Sequence, residues 1–433
     1  MRTASTLRIK LSLFLTYFVF AILLNSVGTV ILQVINNYDI SKTDASILEA
    51  FKDLPIAAVS FLMASFLARF GFRKAMMSGL ALVTLASLSM PLVPSFWTTK
   101  LLFLCVGAAF ALVKVSVYST VGLITDGAKE HAGFMNTIEG IFMIGVLSNY
   151  WLFSTFIDSG NPHSQSWLNT YWVLAAICAF NIVALYVSPY DESSARVKED
   201  TKVSDDFCAM LRLMIRPMVY VFVISAFLYV LIEQSICTWL PTFNNQILKL
   251  PSAMSVQVAS IFATCLALGR LGAGVLMRRV HWYPVLTICL LAMGALVILT
   301  LPLTQGITEN PLLTWWNAPP AAYIFPLIGL FMAPIYPAIS SVMLSALPKH
   351  QHSAMCGLIV IFSALGGTIG SRITGYTFEH FSGQTAFYLS LIPITIILVS
   401  LFFFKRETDK IIGAELQEDE QKDNDAVATF LTN

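Results

Sequence analysis

Long apolar runs follow one another along this chain, separated by short polar loops; strand-like alternation and a single repeating helical stripe are both absent. Twelve runs are read, at about 11–34, 50–70, 75–95, 99–124, 133–156, 168–188, 217–240, 252–277, 282–303, 320–345, 354–377 and 385–404. One helix needs about 20 mostly apolar residues to cross the hydrocarbon core of a bilayer. Runs of this length exclude a transmembrane barrel, whose strands are alternating segments of about ten residues. Glycine and proline occur inside several runs, where neighbouring helices or water satisfy the backbone. The expected fold class is therefore an all-α membrane protein with twelve transmembrane helices.

Composition strengthens that picture. Of 433 residues, 57% are hydrophobic and only 12% are charged, against about 25% charged in a soluble domain. A soluble protein would have to hide a dozen long apolar runs with almost no charge between them. The net charge of +1 offers no polycation for nucleic acid. The seven cysteines form no CxxC pair and read as packing residues in the spans. No glycine-rich loop ends in Gly-Lys-Ser/Thr, and no dense cysteine or histidine cluster suggests a metal. Neither a cofactor nor an enzymatic activity is expected. The N-terminus starts like a signal peptide, but its apolar run continues to about Val34, so it reads as a retained first span.

Charge then orients the spans. Arg2, Arg8, Lys10, Arg69, Arg73, Lys74, Lys129, Arg212, Arg216, Arg278, Arg279, Lys349, Lys405 and Arg406 fall on one side, whereas the opposite loops hold little beyond Lys42, Lys100 and Lys249. Positive loops mark the cytoplasmic side, so both termini are expected there, which an even number of spans requires. The polar loop 189–214 divides the chain into an N-terminal six-helix bundle, 1–188, and a C-terminal one, 215–405, followed by an acidic tail, 406–433. The loop ASFLARFGFRK between spans two and three is echoed by GRLGAGVLMRRV between spans eight and nine. Both are glycine-bearing helix ends followed by a basic turn, and such internal repetition is a habit of secondary transporters.

On these residues the chain resembles the major facilitator superfamily, along about residues 8–405. That family carries Gly-x-Leu-Ala-Asp-Arg-x-Gly-Arg-Lys at this loop. Arg69 and Gly71 match, but Ala68 stands where the aspartate is usual; in the second half Gly274 and Arg279 match and Arg278 takes the aspartate position. The resemblance implies the major facilitator fold and alternating access, with gating ion pairs built differently from those of the family pattern. Tyr229, Val230, Glu233, Trp239, Leu240 and Pro241 in span seven are similar to the fucose and glucose/galactose proton-symporter branch, as are Gly269-Arg270 and the tenth-span GLFMAPIYPAISSVM. The chain departs from that branch at Asn25 and Lys114, where acidic groups are expected.

Candidate chemistry lies in the few ionisable groups within spans, because a charge inside a membrane is costly and faces a cavity or a partner. Lys114 and Glu139 are expected at similar depth on antiparallel helices, either as an anion site with a proton carrier or as a permanent pair. Glu233 lies one turn from Tyr229 and is a second candidate proton carrier or substrate ligand. Asn25, Tyr118 and Asn136 are further polar candidates for the substrate or coupling site, joined by Gln33 and Asn149 along the same helices. Arg69, Arg73, Arg270, Arg278, Arg279 and Arg372 are gate candidates, with Arg372 placed to pair with Glu233 or to receive an anion. Asp53 reads as a helix N-terminal charge. Trp239, Trp315 and Trp316 sit near outer helix ends, the last two as interface anchors.

The function expected is proton-coupled movement of a small polar metabolite, such as a sugar, across a bacterial inner membrane, by a protein working as a monomer with solute, protons and lipids as its partners. The alternatives are a larger anionic or amphipathic cargo, such as a siderophore or drug, and a non-transporting receptor.

Overall fold

The structure, a computed structural model, describes residues 2–63, 70–125, 127–188, 213–308, 310, 313–345, 347 and 351–409. Arg69, the linker through 212 and the tail from 410 lie outside these residues. All regular structure among the described residues is helical. Helices are the only open-chain elements that satisfy every backbone group within one segment, as hydrocarbon demands.

The first part of the chain forms α1 (Arg2–Asn25), α2 (Val27–Tyr38), the short α3 (Lys42–Ala45), α4 (Ile47–Met63), α5 (Phe72–Leu92), α6 (Phe96–Ile124), α7 (Gly127–Phe156) and α8 (Thr170–Val187). The second part forms α9 (Pro217–Gln246), α10 (Ser252–Leu276), α11 (Trp282–Thr300), α12 (Ala321–Ile324), α13 (Ile328–Met332), α14 (Ile335–Ser345), α15 (His352–His380) and α16 (Gly383–Tyr388). Ten helical segments of the described residues are long and apolar enough to cross a membrane, the last being Gly383–Asp409. Helices α4 and α7 are not among the ten; α4 has 17 described residues and carries Glu49, Lys52 and Asp53.

Two expected spans are broken. The first divides at Ser26, whose hydroxyl donates to the Leu23 carbonyl at 2.8 Å while the Asn25 amide donates to Ala21 at 2.8 Å. Side chains that compete for helix carbonyls in this way bend a helix. The tenth divides into α12, a 3₁₀ turn at Phe325–Leu327, α13 and α14. Pro326, Pro334 and Pro337 each remove a backbone donor there.

Within the first part α1 packs on α7 and α8, α5 on α6 and α8, and α4 on α6; within the second α9 packs on α10 and α15, and α13 on α10 and α11. The parts meet through α2 on α9, α3 and α4 on α15, and α7 on α10. At the end of the bundle farther from the N-terminus these contacts form a seal. The Thr43 amide donates to Glu379 at 2.8 Å, and Arg372 donates to the Thr43 carbonyl. The Ala253 amide reaches Ser159 at 3.2 Å, and Gln257 donates to Ser154 at 3.2 Å. Trp151 stacks on Trp315, 6.2 Å apart and 6° from parallel. Gly28 lies so close to α9 that a Cβ there would sit 2.5 Å from the Thr238 carbonyl oxygen. Toward the other end, Arg270 of α10 reaches the Met143 sulfur of α7 at 3.9 Å. The arrangement is a bundle closed at one end and open at the other.

Candidate functional site

The open side is lined at mid-depth by ionisable groups that sit beside apolar walls. On the first part, α6 and α7 run antiparallel. Tyr118 of α6 donates to Glu139 of α7 at 2.6 Å, and Glu139 is otherwise exposed to the opening, as are Lys114 and Asn136. The Lys114 ammonium lies 5.9 Å from the centre of the Phe110 ring, within cation–π range. No carboxylate among the described residues lies within salt-bridge distance of it. Phe110 also contacts Tyr17, Phe20 and Phe142, so the lysine stands on an aromatic wall.

On the second part, Glu233 of α9 faces Arg270 of α10 at 3.7 Å and accepts from Tyr229 at 3.3 Å. Tyr229 stacks on Tyr336 of α14, with centroids 5.4 Å apart, and Tyr336 contacts the Ser363 hydroxyl at 3.2 Å. Arg270 is about half exposed, at 46% of its side chain, and reaches across to the Met143 sulfur of α7 at 3.9 Å. Ring faces with polar edges, a carboxylate and a guanidinium can together hold a polar solute stripped of its water.

Toward the sealed side lies a second group of charges. Glu49, Lys52 and Asp53 occupy one face of α4 at spacings of three and four, and are 0%, 6% and 8% exposed. The Lys52 ammonium contacts Glu49 and lies 3.3 Å from Asp53. Thr238 of α9 donates to the other Glu49 oxygen at 3.0 Å.

The expected residues are thus distributed over different tasks. Tyr118, Glu139, Glu233 and Arg270 are brought to the opening, together with Lys114 and Asn136, while Tyr229 is buried behind Glu233. Lys114 and Glu139 are not joined by a salt bridge; Glu139 is held by Tyr118 instead. Asn25 is tied into the wall, its carbonyl accepting from Asn149 at 3.0 Å. Arg372 does not pair with Glu233. It bonds the Thr43 carbonyl and lies 3.5 Å from the Ser46 hydroxyl, because α15 carries it to the sealed end. Arg73 donates to the carbonyls of Leu185 at 2.9 Å and of Tyr186, capping the end of α8. Arg278 and Arg279 lie exposed in the turn after α10. Asp53 does not cap α4, which begins at Ile47; it lies inside the helix beside Lys52. Trp239 is buried and donates to the Ser371 carbonyl at 3.1 Å, Trp315 takes part in the seal, and Trp316 is 98% exposed. Glu49 and Lys52 were missed, although three ionisable residues within LEAFKD inside an apolar run were a readable signal. Among the described residues no group of three His, Cys, Asp or Glu is placed to hold a metal ion.

The model of the Major Facilitator Superfamily matches residues 13–363 and 303–423. The chain belongs to this family. It is therefore a member of a transporter family and not of an enzyme family. No curated protein matches it significantly. Among solved structures, the nucleoside transporter NupG superposes with a TM-score of 0.68 at 16% identity, covering 93% of this chain and 98% of that one. A bacterial homologue of the human lysosomal transporter Spinster, inward-facing and unoccupied, gives 0.71 at 12% identity, covering 94% and 98%. The E. coli fucose:proton symporter FucP gives 0.59 in its outward conformation at 14% identity, covering 92% and 99%. These likenesses establish the fold.

Proposed function

We propose that the protein is a secondary active transporter that carries a small polar solute across the membrane by alternating access, coupled to protons, and that the structure is its inward-open state. The observation that carries this reading is the pair of ionisable clusters, Tyr118–Glu139 and Tyr229–Glu233–Arg270, lining an opening whose far end is sealed. A carboxylate whose solvation changes as gates open and close exchanges a proton with the medium. Glu139 and Glu233 are the carriers on this reading; Lys114, Asn136, Tyr118 and Tyr229 contact solute, and Arg270 serves solute or inner gate.

The finer architecture follows the same reading. Twelve spans include α4 and α7, in two six-helix bundles at 1–188 and 215–405 joined by 189–214, with the tail 406–433. The interhelical contacts support two repeated bundles: span two on span eleven becomes span eight on span five when the bundles are exchanged, and span one on span seven maps onto itself. The basic loops put both termini in the cytoplasm of a bacterium, so the seal faces outward. NupG and FucP are named for polar cargoes, a nucleoside and fucose, which favours a cargo of that class here, carried by a monomer.

The test is flux in sealed proteoliposomes across a panel of nucleosides, sugars and small anions, with and without an imposed pH gradient. Accumulation of one solute that collapses with the gradient is the expected result; equilibration indifferent to the gradient removes proton coupling, and binding without flux removes transport. One observation favours an anionic cargo as the second reading: Lys114 has no carboxylate partner at the opening, and the small anions in the panel decide that case.

A further inference from the structure

Glu49, Lys52 and Asp53 are not part of the opening, and no gate or substrate role accounts for them. Two carboxylates flank one ammonium, so the sealed cluster carries one negative charge in excess. Burying an uncompensated charge is strongly unfavourable, and a carboxylate in that position takes up a proton instead. The two acids are not equally provided for. Glu49 has the Lys52 ammonium on one oxygen and the Thr238 hydroxyl on the other. Asp53 has Lys52 on one oxygen; its second oxygen lies over Gly367 of α15, 2.5 Å from where a Cβ would stand, with the Gln234 Cγ of α9 on the same glycine at 3.2 Å from that point. Both α9 and α15 belong to the other bundle. The cluster is therefore dry only while the outer seal is shut, and parting α4 from α9 and α15 admits water to it.

The titratable surroundings are few. From α9, Cys237 is within electrostatic reach of Glu49 and Lys52, and Lys52 acts in turn on Glu233. From α7, Tyr150 contacts the Cys237 sulfur at 3.8 Å. From α15, Arg372 is held by Thr43 and Ser46. Lys42 and Asp44 of α3 stand at the outer rim, and α6 presents Gly107 against the Lys52 carbonyl.

We infer that Glu49–Lys52–Asp53 is a protonation site that latches the outer gate: Asp53 takes up one proton as the bundles close over it, and loss of that proton opens the outer side. This rests on the alternating-access reading, but it assigns protonation to a site that touches neither the opening nor the solute. The closed state holds one more proton than the open one, so closure is favoured at low pH and lost as pH rises.

The experiment is hydrogen–deuterium exchange of the full chain in lipid nanodiscs between pH 5.5 and 8.5, corrected for intrinsic exchange and read at the amides of α2, α3 and the end of α15. In the wild type the opening constant should rise about tenfold per pH unit across the transition, as one linked proton requires. Asp53→Asn mimics the protonated acid and should stay protected at every pH. Lys52→Met removes the cation and should move the midpoint up by about one pH unit or more. Should Asp53→Asn fail to fold, the Lys52→Met midpoint decides alone. A wild-type pH response retained in Asp53→Asn, or an unmoved midpoint in Lys52→Met, overturns the latch. Gradient-driven flux with no such latch would leave the proposed function standing, and a latch without gradient-driven flux would remove proton coupling while keeping the site.

Discussion

At the residue scale, partner choice separates the charges left exposed from those that hold the bundle together. Glu139 accepts from the Tyr118 phenol and is otherwise exposed; Arg372 is taken up by a carbonyl and a hydroxyl at the seal. Glu139→Gln should therefore abolish gradient-driven accumulation while leaving solute counterflow within about twofold of wild type, because exchange needs no net proton movement. Equal loss of both in proteoliposomes would make Glu139 a solute ligand instead. Lys114 is a cation with no anionic partner among the described residues, on an aromatic wall. If the cargo is anionic, Lys114→Ala should weaken its binding by the roughly 1.5–3 kcal/mol of a charged hydrogen bond, about tenfold to a hundredfold, with partial rescue by Lys114→Arg. Titration calorimetry with the solute from the flux panel checks this, and an unchanged affinity assigns Lys114 to another task.

At the element scale, helices that must touch do so at residues without side chains. Gly28 lets α2 meet α9 at Thr238, so Gly28→Val should hold the outer gate ajar and cut flux by about tenfold or more, at a cost of about 1–3 kcal/mol for overpacking. Gly272→Ala is the matched control, since nothing lies within 4 Å of its added methyl; it should transport as the wild type does. Equal flux in both variants would mean that α2 and α9 separate without loss. The break at Ser26 and the divided tenth span also belong to this scale. The prolines of the tenth span announced its interruption in sequence, whereas nothing in the apolar run around Ser26 marked the first span as two helices. A serine that bonds its own helix has the same hydropathy as one that does not, so only the observed backbone reveals the bend.

At the scale of the whole molecule, the closed outer side should be a state the protein leaves in every cycle. Cysteines at Ser159 and Ala253, on a background freed of native cysteines, bring α7 and α10 within reach of a disulfide at the seal. Oxidation should stop flux nearly completely and reduction restore it, measured in the same vesicles; full flux after verified cross-linking would show that the seal need not open. The all-α, multi-pass character was legible because hydropathy is local: a bilayer asks each segment of about 20 residues for the same property, whatever its neighbours are. Ionisable residues inside the apolar runs stood out for the same reason, and Lys114, Glu139, Glu233 and Arg270 were found that way. Which of them meet was decided by tertiary structure. The rotation and offset of packed helices gave Glu139 to Tyr118, Glu233 to Arg270 and Arg372 to Thr43, and turned Asp53 from a helix-end charge into part of a sealed cluster. Those choices depend on contacts between residues far apart in the chain, such as Glu49 with Thr238, nearly two hundred positions away, and on which gate is shut, and neither is written in any single segment.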